Sequence, residues 1–403
     1  MSPIAERAGA LAGLRVLDLS RILAGPTCTQ ILGDLGADII KVEKPGAGDD
    51  TRAWGPPYVT GPDGQPTTES AYYLSANRNK RSIAIDFTES EGREVLVRLL
   101  EKSDVLVENF KTGTLKRYGL DFETLHPRFP KLVYCSITGF GQTGPYASRA
   151  GYDYLAQAMG GIMSVTGAAD GPPMKVGVGI ADVTTGLYAT IGILAALRHR
   201  DVSGLGQHID MALLDTQVSW LVNEATNFLT SGIRPPRRGN EHPNIVPYKV
   251  YGTKDGFIVL AVGNDTQFAR WCKVAGAAHL AEDPLYATNA ARVVNRGQMD
   301  EQVAKAMKDK TTTEWLRALE PLGVPCGPVN HIDEVFGDDH VLSRGMRIEM
   351  PYRHSASGKV SLVGSPIKMS RTPPAYRYAP PKNGEHSREI LEEFGCLPSS
   401  ETK

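Results

Sequence analysis

Strand and helix signals alternate along the first third of this chain, and that alternation constrains its fold more than any other feature. Val16-Leu-Asp-Leu19 is an apolar run of strand length. Pro26 to Leu35 has helical spacing, with proline near its start and Gly36 just beyond its end, the asymmetry that helix termini favour. Ala37 to Val42 predicts a second buried strand, and Ser82 to Phe87 a third after the Gly- and Pro-rich loop of residues 45–66. Thr88-Glu-Ser-Glu91 has the pattern of a capping box before a helix over Gly92 to Lys102. Strands at Asp104 to Val107 and Leu132 to Ile137 continue the series, with a short helix ending at Gly119 between them. Such alternation predicts an α/β domain built on a doubly wound parallel sheet.

Beyond residue 150 the pattern changes. A loop feeds one long helix, Ile180 to Arg200, and a second helix is expected over Asp215 to Leu229. Arg234-Pro-Pro-Arg-Arg238 has the composition of a linker. After it, Tyr248 to Gly252 and Phe257 to Val262 flank Lys254-Asp-Gly256, a hairpin signal. Helices at about residues 266–276 and 312–320 complete a smaller α+β unit. The chain from Asn330 is irregular and strand-like until a short helix near Ser387 to Phe394. The expected division is a large domain of residues 1–225 and 331–403 and a small domain of residues 226–330.

Bulk composition argues against several classes of partner. A net charge of -1 over 403 residues gives no global attraction to nucleic acid or to an acidic membrane surface. The five cysteines (Cys28, Cys135, Cys272, Cys326, Cys396) are widely spaced, with neither a metal-binding nor a disulfide pattern, so no metal and a reducing compartment are expected. The longest apolar stretch, Leu187 to Leu197, is shorter than the roughly 20 residues a membrane span needs, and the first residues lack the apolar core of a signal peptide. A cytoplasmic location is the expectation.

In a doubly wound sheet, ligands bind outside the carboxyl ends of the strands. Ser20-Arg21-Ile22, Lys44, Asp86-Phe87, Asn109-Phe110 and Thr138-Gly139 fall there, and Lys80, Arg81 and Arg117 add cations suited to a nucleotide phosphate. Taken singly, each of these reads better as a solvated loop residue, and only their shared location at strand ends points to a ligand. Gly139-Phe-Gly-Gln-Thr-Gly144 matches the dinucleotide fingerprint literally, but no helix opens directly behind it, which argues against a dinucleotide. Asp182 follows the small, flexible run Val176-Gly-Val-Gly-Ile-Ala181 and precedes an apolar helix. It reads as a helix N-cap at least as well as a catalytic carboxylate, and the two roles are compatible because helix N-termini favour anions. The nine histidines form no HExxH or triad pattern. His242, within the polar loop Gly239-Asn-Glu-His-Pro-Asn244, is either a site residue or part of an interdomain turn.

Ordered motifs over nearly the whole chain give it a closer reading. They include Leu14-Arg-Val-Leu-Asp-Leu-Ser20, Ala24-Gly-Pro26, Gly48-Asp49, Asp104-Val-Leu-Val-Glu-Asn-Phe110, Ser136-Ile-Thr-Gly-Phe-Gly-Gln-Thr-Gly-Pro145, Val262-Gly-Asn-Asp265 and Gly327-Pro328. On these residues the chain resembles the class III CoA-transferases, the group of formyl-CoA and L-carnitine CoA-transferases, and most closely its succinyl-CoA:dicarboxylate branch.

The resemblance implies that Asp182 is a nucleophile forming anhydride and aspartyl-CoA thioester intermediates, with acyl-CoA as substrate and no tightly bound cofactor. It implies CoA contacts at Ile22, Leu23 and Ala24, at Lys44, at Ile85, Asp86, Phe87 and Thr88, and at Asn109, Phe110, Lys111 and Arg117. Ala150, Gly151, Tyr152 and Asp153 close that set. An interlocked homodimer is implied as well. Leu23, where formyl-CoA transferase has glutamine, and the missing glycine run near Gly239 argue against formyl-CoA as substrate. For a dicarboxylic acceptor, Arg52, His242 and Asn244 are the expected partners of the second carboxylate. A rival reading, an α-methylacyl-CoA racemase, needs a Gly-His-Asp motif that here is Gly151-Tyr152-Asp153. A non-catalytic CoA-binding paralogue is the third possibility, disfavoured by the intact Asp182.

Overall fold

The computed structural model describes residues 9–396, and the chain divides into two compact units. The first comprises Met1–Ile162, Lys175–Thr226 and Asp339–Lys403; the second comprises Met163–Met174 and Asn227–Asp338.

Six strands form the large sheet of the first unit, which also holds two small two-stranded sheets. The six are β1 (Arg15–Asp18), β2 (Asp38–Glu43), β3 (Lys80–Ala84), β4 (Val105–Glu108), β5 (Val133–Thr138) and β6 (His208–Ala212). Every pairing is parallel and the order is β3-β2-β1-β4-β5-β6. The chain winds outward from β1 to β3, then returns to the other side of β1, so the topological switch lies between β1 and β4. Sequence reading missed β6, a short strand whose residues are mostly only half buried.

Four helices bear on the site: α1 (Ala24–Asp34), α2 (Ser90–Leu100), α3 (Asp153–Met159) and α4 (Ile180–Ser203). Side chains alternate across the pleat and so build two cores. Val16, Ile39, Val105 and Cys135 join one core with Cys28 and Leu32 of α1 and Ala189 and Ile193 of α4. Leu17, Ile40, Ile83 and Leu106 join the other with Leu96 and Leu99 of α2 and Ile390 near the end of the chain. α4 crosses α1 in backbone contact at Gly186, where an added Cβ would lie 2.6 Å from the Ala24 carbonyl oxygen. By length and composition α4 could cross a membrane, but half of its most apolar stretch is buried inside the protein.

Two local expectations need correction. Thr88 does not cap α2: the N-cap is Glu89 without a side-chain bond, and the Thr88 hydroxyl donates instead to Asp86 Oδ1 at 2.6 Å. The nearer aspartate wins because it closes a local turn two residues long. The helix expected over Asp215 to Leu229 is two, Leu213–Ser219 and Val222–Ser231, broken where Val222 takes a φ of 40°.

Under the carboxyl ends of β1 to β3 the interior holds ions. Asp18 accepts from Lys80 Nζ at 3.1 Å and Thr29 Oγ1 at 2.6 Å, and Lys41 pairs with Asp49 at 2.9 Å, all four charged groups being buried. Such charges persist inside a protein only when paired and hydrogen-bonded. This corrects the phosphate role expected of two cations. Lys80 is enclosed, its amine pushed down to about 8 by burial, and Arg81 is engaged by Asp38, Glu389 and Glu393.

In the second unit, β7 (Tyr248–Gly252) and β8 (Phe257–Ala261) form the expected hairpin, and β9 (Cys326–Pro328) pairs antiparallel with β8. Trp271, Trp315, Phe268, Met299 and Val303 fill its core. The helix Thr312–Leu319 opens with a complete capping box of Thr311 and Glu314. Arg292, fully buried, donates to the carbonyls of Val246 and Tyr286 at 2.6 and 2.8 Å and to Asp265.

Candidate active site

A cavity of about 220 Å³ opens beside the ends of β1 and β4, at the switch point. Ile22, Leu23 and Ala24 line it from the β1 exit and Asn109, Phe110 and Lys111 from the β4 exit. Ala150, Gly151 and Tyr152 contribute another wall, and Asp182 a fourth. With Arg21, Thr138 and Gly139, the structure thus brings together thirteen of the residues singled out from the sequence, drawn from segments far apart along the chain.

The two strand exits are joined directly. Asn109 Oδ1 accepts from the Arg21 N–H at 2.9 Å, and its Nδ2 donates to the Arg21 carbonyl at 2.6 Å. The Arg21 guanidinium lies 5.3 Å from the centre of the Phe110 ring and pairs with Asp50. α1 starts right behind this turn with no side-chain cap at Leu23, so the first-turn N–H groups, which lack intrahelical partners, begin at the cavity.

Asp182 is not the N-cap of α4. Gly179 is, without a side-chain bond, and Asp182 is the third residue of the helix. The capping oxygen comes from α3: Asp153 Oδ1 accepts from the N–H groups of Ala181 at 2.8 Å and Asp182 at 3.2 Å. Its other oxygen accepts from Gln157 Nε2 at 2.7 Å, and Gln157 Oε1 in turn accepts from the Val176 N–H. Asp153 therefore fixes the glycine run and leaves the Asp182 side chain free of capping.

The ordinary aspartate pKa of about 3.9, which would leave Asp182 ionised without help, does not hold at this position. Burial, and then the negative charge of Asp153, push its carboxyl up to about 7. Removing a carboxylate from water always disfavours its charged form, and no cation is close enough to reverse that here. Tyr72 is pushed up to about 12 by burial and then by Asp182, so a neutral phenol stands in the same electrostatic neighbourhood.

The other sequence candidates lie elsewhere. Phe87 packs edge-on against Phe110 at 5.5 Å, which places the segment of Ile85, Asp86 and Thr88 behind the β4 exit. Lys44 and Arg117 are exposed and do not line the cavity. Arg52 is a correction. Its guanidinium is buried and donates to Glu43, Glu69, Tyr73 and the Pro381 carbonyl, so a structural role replaces the expected contact with a substrate carboxylate. In the second unit, His242 Nδ1 accepts from the Asn244 N–H at 3.1 Å and Asn289 Nδ2 donates to the Asn244 carbonyl, so both residues shape their own loop.

Sequence reasoning did not select Arg149, Thr112 or Leu213, which also line the cavity. The Arg149 guanidinium rests over the rings of Tyr146 and Phe140 at 4.6 and 5.1 Å. Glu108 was missed as well. It closes β4, accepts from the Phe110 N–H at 2.8 Å, and is pushed up to about 7 by burial. Its place in the Val105-Leu-Val-Glu108 strand run was the available signal. Among the described residues, no histidine lines the cavity. Behind the Gly139–Gly144 segment the next helix begins only at Asp153, as the reading against a dinucleotide required.

Known proteins resemble this chain along nearly its whole length. Residues 11–387 match CoA-transferase family III. The chain is 48% identical over 402 residues to the succinate–glutarate CoA-transferase of Agrobacterium fabrum, covering 100% of both. It is 44% identical to the succinyl-CoA:glutarate CoA-transferase of Mus musculus, over 95% of this chain and 86% of the relative. Among solved structures, a CAIB/BAIF family protein from Brucella suis superposes with a TM-score of 0.86 at 46% identity, covering 96% of this chain and 100% of that one. The chain belongs to CoA-transferase family III and is an enzyme of that kind, acting on CoA thioesters.

Proposed function

We propose that this enzyme moves CoA from succinyl-CoA to a dicarboxylic acid, with glutarate the first candidate, through covalent intermediates on Asp182. The observation that carries this reading is the meeting of a carboxylate and a helix N-terminus at one cavity. Asp182 stands in the first turn of α4 while the uncapped start of α1 forms the adjoining wall. A nucleophile beside N–H groups that favour developing negative charge is the arrangement acyl transfer needs. The names of the Agrobacterium and mouse relatives support the choice of acids.

In this mechanism an Asp182 oxygen attacks the thioester carbon, the C–S bond breaks, and CoA leaves as thiolate. The thiolate attacks the aspartyl carbon of the resulting anhydride, which frees succinate and leaves CoA on Asp182. The acceptor carboxylate attacks that thioester and displaces thiolate, and thiolate then attacks the acceptor acyl carbon, restoring the Asp182 carboxylate. Every nucleophile is an anion and no proton is transferred, so the absence of histidine from the cavity lining is no obstacle. The raised basicity of Asp182 makes its ionised form the stronger nucleophile. CoA runs along Ile22–Ala24, Asn109–Lys111 and Ala150–Asp153, with Lys44, Ile85–Thr88 and Arg117 as outer contacts. Two chains interlock as a dimer, a reading supported by the exposed apolar residues of Val222–Ser231, a helix with no buried residue.

Incubation with succinyl-CoA followed by hydroxylamine should modify Asp182 alone, as read by peptide mass spectrometry. Asp182→Ala should fold and lose transfer by at least about 10³-fold. Labelling of another carboxylate, or turnover in the alanine variant, refutes the assignment; faster use of acetyl- or butyryl-CoA refutes the donor.

A further inference from the structure

β1 leaves the sheet through Ser20-Arg21-Ile22, and each residue of this turn is held by a side chain from elsewhere. Lys41 Nζ donates to the Ser20 carbonyl at 2.9 Å, and Asn109 holds both backbone groups of Arg21. Asp49 Oδ1 accepts from the Ile22 N–H at 3.2 Å. Ile22 has a φ of 73°. In that left-handed region a β-branched side chain crowds the backbone, and such residues persist only where the surroundings over-determine them, most often at functional sites. Ile22 lines the Asp182 cavity, directly ahead of α1.

The surroundings that over-determine it converge on Asp49. This carboxylate is 1% exposed. Its Oδ2 accepts from Lys41 Nζ at 2.9 Å, its Oδ1 also accepts from the Thr51 N–H and Oγ1 at 3.0 and 2.8 Å, and its own N–H donates to Glu43 Oε2 at 2.9 Å. Against the effect of burial, Lys41 and Thr51 hold the Asp49 carboxyl down to about 2, so it stays an anion at any working pH. Neither Asp49 nor Lys41 lines the cavity.

We infer that Asp49, anchored by Lys41, is a positioning residue for the transfer reaction: it holds Ile22 in its left-handed conformation and thereby sets the cavity wall and the start of α1 against Asp182. This rests on the reaction proposed for the Asp182 cavity.

Two substitutions at residue 22 separate backbone from side chain and leave the buried ion pair untouched. Ile22→Gly removes the side chain but keeps the N–H and easy access to positive φ. Ile22→Pro removes the same side chain, the N–H and the positive φ together. With transfer from succinyl-CoA as the assay, Ile22→Gly should lower kcat by about fivefold, a loss of packing. Ile22→Pro should lower it by at least about 100-fold, with KM for the thioester within about threefold of that of the Ile22→Gly variant, which lacks the same side chain. Asp49→Asn, which keeps an acceptor but not the charge facing Lys41, should cost about tenfold in kcat in the natural sequence and about threefold or less in the Ile22→Gly background. Equal kcat in the glycine and proline variants, or an equal loss from Asp49→Asn in both backgrounds, overturns the inference. Absence of transfer in the unsubstituted protein instead refutes the reading of the site.

Discussion

Around the Asp182 cavity the first unit buries ions, whereas the second unit fills its interior with rings. Asp18, Lys41, Lys80 and Asp49 are all close to fully enclosed, and between them they fix the Ser20 carbonyl and the Ile22 N–H by direct hydrogen bonds. In the second unit Trp271, Trp315 and Phe268 occupy the centre, with Arg292 as a buried cation bonded to loop carbonyls. The two solutions do different things. Apolar packing stabilises in proportion to the area removed from water and has no preferred direction. A buried ion pair adds little net stability against an apolar replacement, but it fixes donors and acceptors in direction and distance. The ions of the first unit are concentrated where backbone geometry matters for chemistry.

Paired substitutions test that contrast. Lys41→Met should strand the Asp49 carboxylate and destabilise the protein by about 3–5 kcal/mol, and the folded fraction should also lose activity. Trp315→Ala should cost a similar amount, about 3–5 kcal/mol, through the cavity it leaves, while the folded protein keeps its kcat. Urea denaturation and assays on folded protein measure both, and a Lys41→Met enzyme with unaltered kcat would break the comparison.

A smaller effect concerns Asp182 itself. Its folded pKa of about 7 lies above the ordinary value near 3.9, so between those pH values the folded chain holds a proton that the unfolded chain has released. The stabilising contribution is fully present below pH 4 and is lost as pH rises to 7. Asp182→Asn escapes that loss and should be more stable than the natural sequence at pH 8 by about 1–3 kcal/mol, the gap closing toward pH 4. Thermal unfolding across this range decides it. If Asp182 reacts as proposed, kcat/KM of the natural sequence should fall about tenfold per unit below pH 7 as its carboxylate is protonated.

The smallest effect separates the two causes of that pKa. Asp153→Asn keeps a capping oxygen for Ala181 and Asp182 but removes the second of the two causes that raise Asp182. The acid limb of the pH profile should move down by less than about one unit, since burial remains the larger cause. No movement would leave burial as the whole explanation.

Much of this was legible in the sequence because it is local. Five strands of the large sheet follow from short apolar runs between helical patterns, and the switch-point rule then placed Ile22, Asn109 and Gly139 beside one cavity. What escaped depends on residues distant in sequence. Arg52 read as a free cation because Glu43 and Glu69 meet it only after folding. The raised pKa of Asp182 and the role of Asp153 as a cap for another helix arise from tertiary packing. The break at Val222 escaped because neither glycine nor proline marks it.

Gly186 stands four residues after Asp182, on the same face of α4, with Ala24 of α1 against its backbone. The distance from Asp182 to the start of α1 is therefore not set by a side chain that could rotate or exchange for one of similar size. It is a fixed gauge, two backbones in touch. A single methyl group at residue 186 would meet the Ala24 carbonyl oxygen at 2.6 Å and force the two helices apart.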